Sequence, residues 1–164
     1  MKPLAPPPVS LLDKYVGQDI KPLYSTTVTV TGGEAEHGRA SGVARSEDGN
    51  LELALRMPPE LGGPGGGTNP EQLFAAGFAA CFHGVLCLLS AKAGHGAAAC
   101  SVAVSVSFAR DPVDGMYLLM ADVNIRLPGL RQAAAEELVR NAERVCPYAK
   151  MAREGLLNVV TLVT

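Results

Sequence analysis

The segment Leu73–Ser90 contains a single strongly polar residue, His83, and this stretch constrains the chain more than any other. Asn69-Pro70-Glu71 stands before it in the order N-cap, first helical position, first-turn acid, so the sequence predicts a helix from here to about Lys92. It is long enough to raise the question of a membrane span. The segment is rich in Ala and Gly, however, and has no aromatic belt or flanking basic cluster. A helix apolar on every side is also what a buried central helix looks like, and that is the expectation here.

The elements around this helix read as strands. Tyr24–Val30 alternates with period two, Gly32-Gly33 turns it, and a second strand is expected over Ala40–Ser46. Asp48-Gly49 is a hairpin signal before a third alternating run, Leu51–Met57. The Pro- and Gly-rich stretch 58–70 can continue neither strand nor helix. After the long helix, Cys100–Phe108 alternates, Asp111–Gly115 turns the chain, and Met116–Leu127 returns. Pro128-Gly129 breaks that strand. A second helix follows, with Leu130, Ala134, Leu138 and Val145 on one stripe, and Cys146-Pro147 ends it. Tyr148–Arg153 reads as one more turn closed by Gly155, and Leu157–Val163 as a final strand. This order is α+β rather than doubly wound.

With 164 residues, one domain is expected over 21–164. Residues 1–20 read as an N-terminal arm, in which Ser10–Val16 is compatible with a short helix. Net charge is −2, with 18% charged residues, so the chain carries no electrostatic footprint for nucleic acid or anionic lipid. No secretory signal is apparent, and a cytoplasmic chain is the expectation.

The chain has four cysteines: Cys81, Cys87, Cys100 and Cys146. In a reducing compartment they are fillers, metal ligands or redox groups. No C-x-x-C and no zinc spacing occurs, so no bound metal or cofactor is expected. By pattern alone, Cys81, Cys87 and Cys100 belong to apolar faces and read as core. Cys146 differs, because a helix starting at Pro147 would put it in the N-cap region, where free N–H groups favour a thiolate. The histidines add little: His83 is about 160° round the helix from Cys81, and His37 and His95 sit in Gly-flanked loops.

Two motifs carry more. Thr68-Asn-Pro-Glu-Gln-Leu-Phe-Ala-Ala-Gly-Phe-Ala-Ala-Cys-Phe82 and Val145-Cys-Pro-Tyr-Ala149 resemble the two cysteine signatures of the organic hydroperoxide resistance (Ohr) branch of the OsmC/Ohr family. Leu23-Tyr24, Thr31-Gly-Gly33, Ser46–Gly49, Glu60-Leu-Gly-Gly63 and Leu127-Pro-Gly129 fit the same pattern, so the resemblance covers about residues 21–164. It implies an OsmC-like fold, an intertwined homodimer with active sites at the subunit interface, and a two-cysteine, non-haem peroxidase acting on organic hydroperoxides. Carried over by motif, Cys81 is the peroxidatic cysteine, Cys146 the resolving one, and Glu71 the motif glutamate. A dithiol, of the lipoyl type carried on partner enzymes, is the implied external reductant. An OsmC-type peroxidase of broader range and a low-turnover thiol sensor are the alternatives.

The family arginine follows the first Gly-Gly, but here Glu34 stands there in a longer loop. Arg39 is the natural replacement and Arg45 the second candidate. Chemistry requires such a cation, because burial raises a thiol pKa and only the thiolate attacks peroxide. Glu71 would in turn hold the guanidinium. Glu71 and Cys81 are ten residues apart, about 15 Å along a straight helix, so one arginine cannot readily reach both in one chain. A broken helix or a glutamate from the partner subunit would resolve this, and the partner is the expectation. Phe78 and Phe82, with Phe74 and Leu86 nearby, are candidates to line a hydrophobic peroxide site.

Overall fold

A computed structural model describes residues 12–95 and 100–163. The first three strands, β1 (Val28–Thr31), β2 (Val43–Ser46) and β3 (Glu52–Ala54), form an antiparallel sheet in that order, with Val30 opposite Ala44 and Ala44 opposite Leu53. The β2–β3 turn falls at Asp48-Gly49. The Asp48 carboxylate accepts from Ser46 Oγ at 2.6 Å and from Asn50 N–H at 3.1 Å, and Gly49 takes φ +74°. Such bonds are how a short acid organises a turn.

Helix α1 (Pro70–Lys92) starts where the sequence predicts. Asn69 Oδ1 accepts from Gln72 N–H at 2.9 Å, with Pro70 at the first position and Glu71 in the first turn. It runs unbroken for 23 residues. Strands β4 (Ser101–Arg110) and β5 (Tyr117–Arg126) form a ten-residue antiparallel hairpin, with Val104 opposite Val123. Helices α2 (Gln132–Val145) and α3 (Pro147–Glu154) complete the fold. The architecture is thus α+β, with two antiparallel sheets and three helices among the described residues. Its core gathers Phe78, Phe82, Val85 and Leu86 of α1, Leu138 and Ala142 of α2, Cys146 and Ala149. Leu86 is fully buried, so truncation to Ala there is worth about 2–5 kcal/mol.

Several expectations need correction. The strand predicted from Tyr24 begins only at Val28, and Tyr24 is exposed. The strand predicted from Ala40 begins at Val43, because Gly42 (φ +93°) turns the chain there and packs against the Gly32 carbonyl. The third strand is shortened to Glu52–Ala54. Beyond it Arg56 N–H donates to Thr68 O at 2.8 Å, so the chain pairs with the end of the glycine-rich loop instead. Of the proposed Ser10–Val16 helix, residues 12–16 are not helical and the rest lies outside the described residues. Tyr148–Arg153 is more than a turn: α3 has eight residues, closed by Gly155 (φ +83°).

Two corrections bear on assembly. Leu157–Val163 forms no strand, since a strand needs a neighbour for its N–H and C=O groups and none of the described residues pairs with it. Its Leu157, Val159, Val160, Leu162 and Val163 are almost fully exposed. Nor is α1 buried on all sides within one chain. It packs on β4, α2 and α3, while Gln72, Ala76, Ala80, Gly84 and Leu88 form an exposed stripe at every fourth position. By length and composition α1 is the one helix among the described residues that could cross a membrane, so apolarity alone does not set its surroundings.

Candidate active site

Cys81 sits mid-way along α1, and Cys146 is the joint between α2 and α3. Cys146 N–H donates to Ala142 O at 2.8 Å, closing α2, and its carbonyl accepts from Lys150 N–H at 3.0 Å, opening α3. The joint turns the Cys146 side chain back onto α1. The two sulfurs, 65 residues apart in sequence, lie 3.7 Å apart as free thiols. Cys146 is fully buried and Cys81 half-buried.

Burial pushes the Cys81 thiol above its ordinary pKa, and the neighbouring Cys146 sulfur adds to this. The contact can be drawn with Cys146 as donor, which would favour a Cys81 thiolate. A Cys81 thiol that donates to the Cys146 sulfur is instead held in its protonated form, which is the direction of the shift. One group opposes the rise: the backbone N–H of Tyr148, in the first turn of α3. Cys146 is the N-cap of α3, as expected, and the same helix terminus also reaches Cys81.

Arg39 and Glu71 form an ion pair within the chain. Arg45 instead pairs with Glu52 at 3.1 Å on the neighbouring strand, where both are exposed. The longer loop is folded on itself. Glu34 N–H donates to Ser41 Oγ at 3.0 Å, a 3-10 turn spans Ala35–His37, and buried Ala40 anchors the loop beside Arg39. The Arg39 guanidinium also lies over the Phe108 ring, 3.3 Å from its centroid, and Phe108 stacks on Tyr117 at 4.7 Å. Cation–π contact and carboxylate together fix its direction.

Arg39 and the Glu71 it meets belong to one chain, and α1 is continuous from Glu71 to Cys81, so the broken-helix alternative is excluded. Among the described contacts Arg39 does not touch Cys81, so one chain holds a thiol half and an arginine–glutamate half at separate places on α1.

Phe78 and Phe82 belong to the core and also wall an apolar cavity of about 490 Å³. Phe74, Val123, Ile125 and Val139 line it too, and Glu143 and Arg153 supply its polar edge. Leu86 does not reach it. Two contributors were not singled out from sequence. Tyr148 packs on Phe74 and Phe78, with centroids at 6.2 and 5.8 Å, and Phe108 seats the arginine. The signal for Tyr148 was Gly77 in mid-helix: a Cβ there would stand 2.5 Å from the Tyr148 hydroxyl.

Residues 63–159 match the family model described as OsmC-like protein. The chain belongs to the OsmC/Ohr family. It is 38% identical over 143 residues to the organic hydroperoxide resistance protein of Xanthomonas axonopodis pv. citri, covering 87% of this chain and 96% of that protein. It is 37% identical over 141 residues to the organic hydroperoxide resistance protein OhrA of Bacillus subtilis, covering 85% and 94%. Among solved structures, an organic hydroperoxide resistance protein of Legionella pneumophila superimposes with TM-score 0.72 at 40% identity, covering 82% of this chain and 93% of that one. The Ohr relatives support a redox role in organic hydroperoxide resistance.

Proposed function

We propose that this protein is a thiol peroxidase that reduces organic hydroperoxides to alcohols with Cys81 and Cys146. The observation that carries this reading is the 3.7 Å approach of the two sulfurs across the α1–α3 contact. The Cys81 thiolate attacks one peroxide oxygen, the O–O bond breaks, and the alkoxide leaves and takes up a proton. Cys81 is then a sulfenic acid. The Cys146 sulfur attacks it, the S–S bond forms, and the hydroxyl departs as water. An external dithiol, of the lipoyl type, returns both cysteines to thiols. The apolar cavity beside Phe78 and Phe82 suits the hydrocarbon part of a bulky hydroperoxide.

The working unit is a homodimer in which Arg39 and Glu71 of one protomer serve Cys81 of the other. Three features support this. Cys81 carries a raised pKa, and no cation among the described residues of its own chain lowers it. The exposed α1 stripe is small-residued at Ala76, Ala80 and Gly84, so a second helix can approach closely. The Leu157–Val163 segment is largely apolar, exposed and without a strand neighbour among the described residues.

The test is hydroperoxide consumption with dihydrolipoamide by the wild type, Cys81→Ser and Cys146→Ser. No turnover is expected for Cys81→Ser, and one reaction followed by stalling or overoxidation for Cys146→Ser. Equal activity in all three overturns the reading, and single-turnover behaviour in the wild type would make the protein a sensor.

A further inference from the structure

Another part of α1 carries a second thiol cluster that the proposed reaction does not use. Cys87 lies about 120° round the helix from Cys81. His83, one turn before Cys87, faces it: Nδ1 is 3.7 Å and Nε2 3.8 Å from the Cys87 sulfur. The same ring reaches the Cys100 backbone carbonyl, with Nε2 to O at 3.2 Å. A carbonyl can only accept, so Nε2 carries the hydrogen and Nδ1 of the neutral ring is left as an acceptor. A thiol, a base within reach and a third group that orients the base form the arrangement that activates nucleophiles. The near-equal sulfur distances put Sγ beside the ring rather than on the Nδ1 axis, so a small rotation accompanies proton transfer.

Cys100, at the entry to β4, completes the cluster. Burial pushes its thiol up, and negative charge on Cys87 pushes it further the same way. Cys100 is thereby favoured as the neutral partner beside Cys87. Both are half-buried.

We propose that Cys87 and Cys100 form a second redox pair, separate from Cys81–Cys146, with His83 as the base that prepares Cys87 for attack on an organic hydroperoxide. Only the class of oxidant rests on the function proposed above. His83 takes the Cys87 proton, and the thiolate attacks a peroxide oxygen. The O–O bond breaks, and the alkoxide leaves as alcohol with the proton from His83. The Cys100 thiol then condenses with the Cys87 sulfenic acid, forming the S–S bond and releasing water. The balance is two thiols and one hydroperoxide to one disulfide, one alcohol and one water. The product ties the second half of α1 to the start of β4.

The test uses full-length Cys81→Ser/Cys146→Ser protein exposed to cumene hydroperoxide, alkylated and mapped by peptide mass. A linked pair of peptides containing Cys87 and Cys100, lighter by two hydrogens, is expected. Adding His83→Gln should slow its formation severalfold, and in an otherwise wild-type chain that change should leave the Cys81 rate unchanged. Full alkylation of both cysteines after exposure overturns the proposal, as does a sulfenic acid trapped on Cys87 that never yields the linked peptides. If the double variant does not fold, the wild type answers by titration: excess hydroperoxide should remove all four free thiols. Two remaining thiols, mapped to Cys87 and Cys100, would overturn it. Formation of the Cys87–Cys100 link without a Cys81–Cys146 link would instead sink the peroxidase reading and leave this one standing.

Discussion

The Cys81 and Cys146 sulfurs lie 3.7 Å apart, one from the middle of α1 and one from the joint between α2 and α3. A disulfide needs about 2.05 Å, so a short side-chain movement closes the gap. One equivalent of an alkyl hydroperoxide should therefore give an internal Cys81–Cys146 link, read by non-reducing peptide mapping. A product linked mainly between chains through these residues would contradict the geometry.

Arg39 and Arg45 should separate cleanly. Arg39→Ala removes the guanidinium held by Glu71 and Phe108, and a loss of about 10²–10³ in kcat is expected, as for other preorganised donors. Arg45→Ala breaks only an exposed pair with Glu52, and activity should stay within about twofold. Steady-state kinetics of the two variants decides, and the reverse ranking would make Arg45 the activating residue.

The trans arrangement makes a prediction about mixtures. Arg39→Ala and Cys81→Ser chains should each be inactive alone. Refolded together at equal amounts, they should recover roughly a quarter of wild-type activity, because random pairing gives half heterodimers with one complete site each. No recovery would mean that arginine and cysteine act within one chain.

The raised Cys81 pKa ties stability to alkaline pH. A thiol whose folded pKa lies above its unfolded one, about 9.0, binds its proton more tightly in the fold. That contribution is complete below pH 9 and is lost as pH rises through the folded value. Tm of the reduced protein should thus fall more steeply above pH 9 in the wild type than in Cys81→Ser. Parallel curves would show that Cys81 is not the group responsible.

Gly77→Ala sets two effects against each other. Alanine gains about 0.8–1.0 kcal/mol of helix propensity, yet its Cβ would stand 2.5 Å from the Tyr148 hydroxyl. The Tyr148 ring, wedged against Phe74 and Phe78, must shift and take with it the amide that faces Cys81. Tm should change little while oxidation of Cys81 slows. Unchanged oxidation kinetics would show that Tyr148 does not position the thiol.

Much of this was legible in the sequence because it is written locally. Asn69-Pro70-Glu71 marks the start of α1 through backbone chemistry that needs no tertiary partner, and Asp48-Gly49 does the same for a turn. Local pattern picks out Cys146 only weakly and files Cys81 with the core, so the pair became legible through its motifs. What stayed hidden depends on contacts far along the chain. Arg39 meets Glu71 because the loop after Gly33 folds on its own Ser41, and Phe108 seats the guanidinium from a strand whose pattern says only "inward". Leu157–Val163 reads as a strand because its residues suit one, but a strand exists only where a neighbour supplies its hydrogen bonds.

The joint at Cys146 has a mechanical consequence. Its N–H and C=O are both committed, one to the end of α2 and one to the start of α3, and Cys81 is locked in the middle of a continuous helix. Neither main chain is free to follow its sulfur. The oxidised and reduced proteins are therefore expected to share one scaffold, with the difference confined to two side-chain torsions. A reductant that distinguishes them must then read the sulfurs themselves, because the fold does not announce its oxidation state by a change of shape.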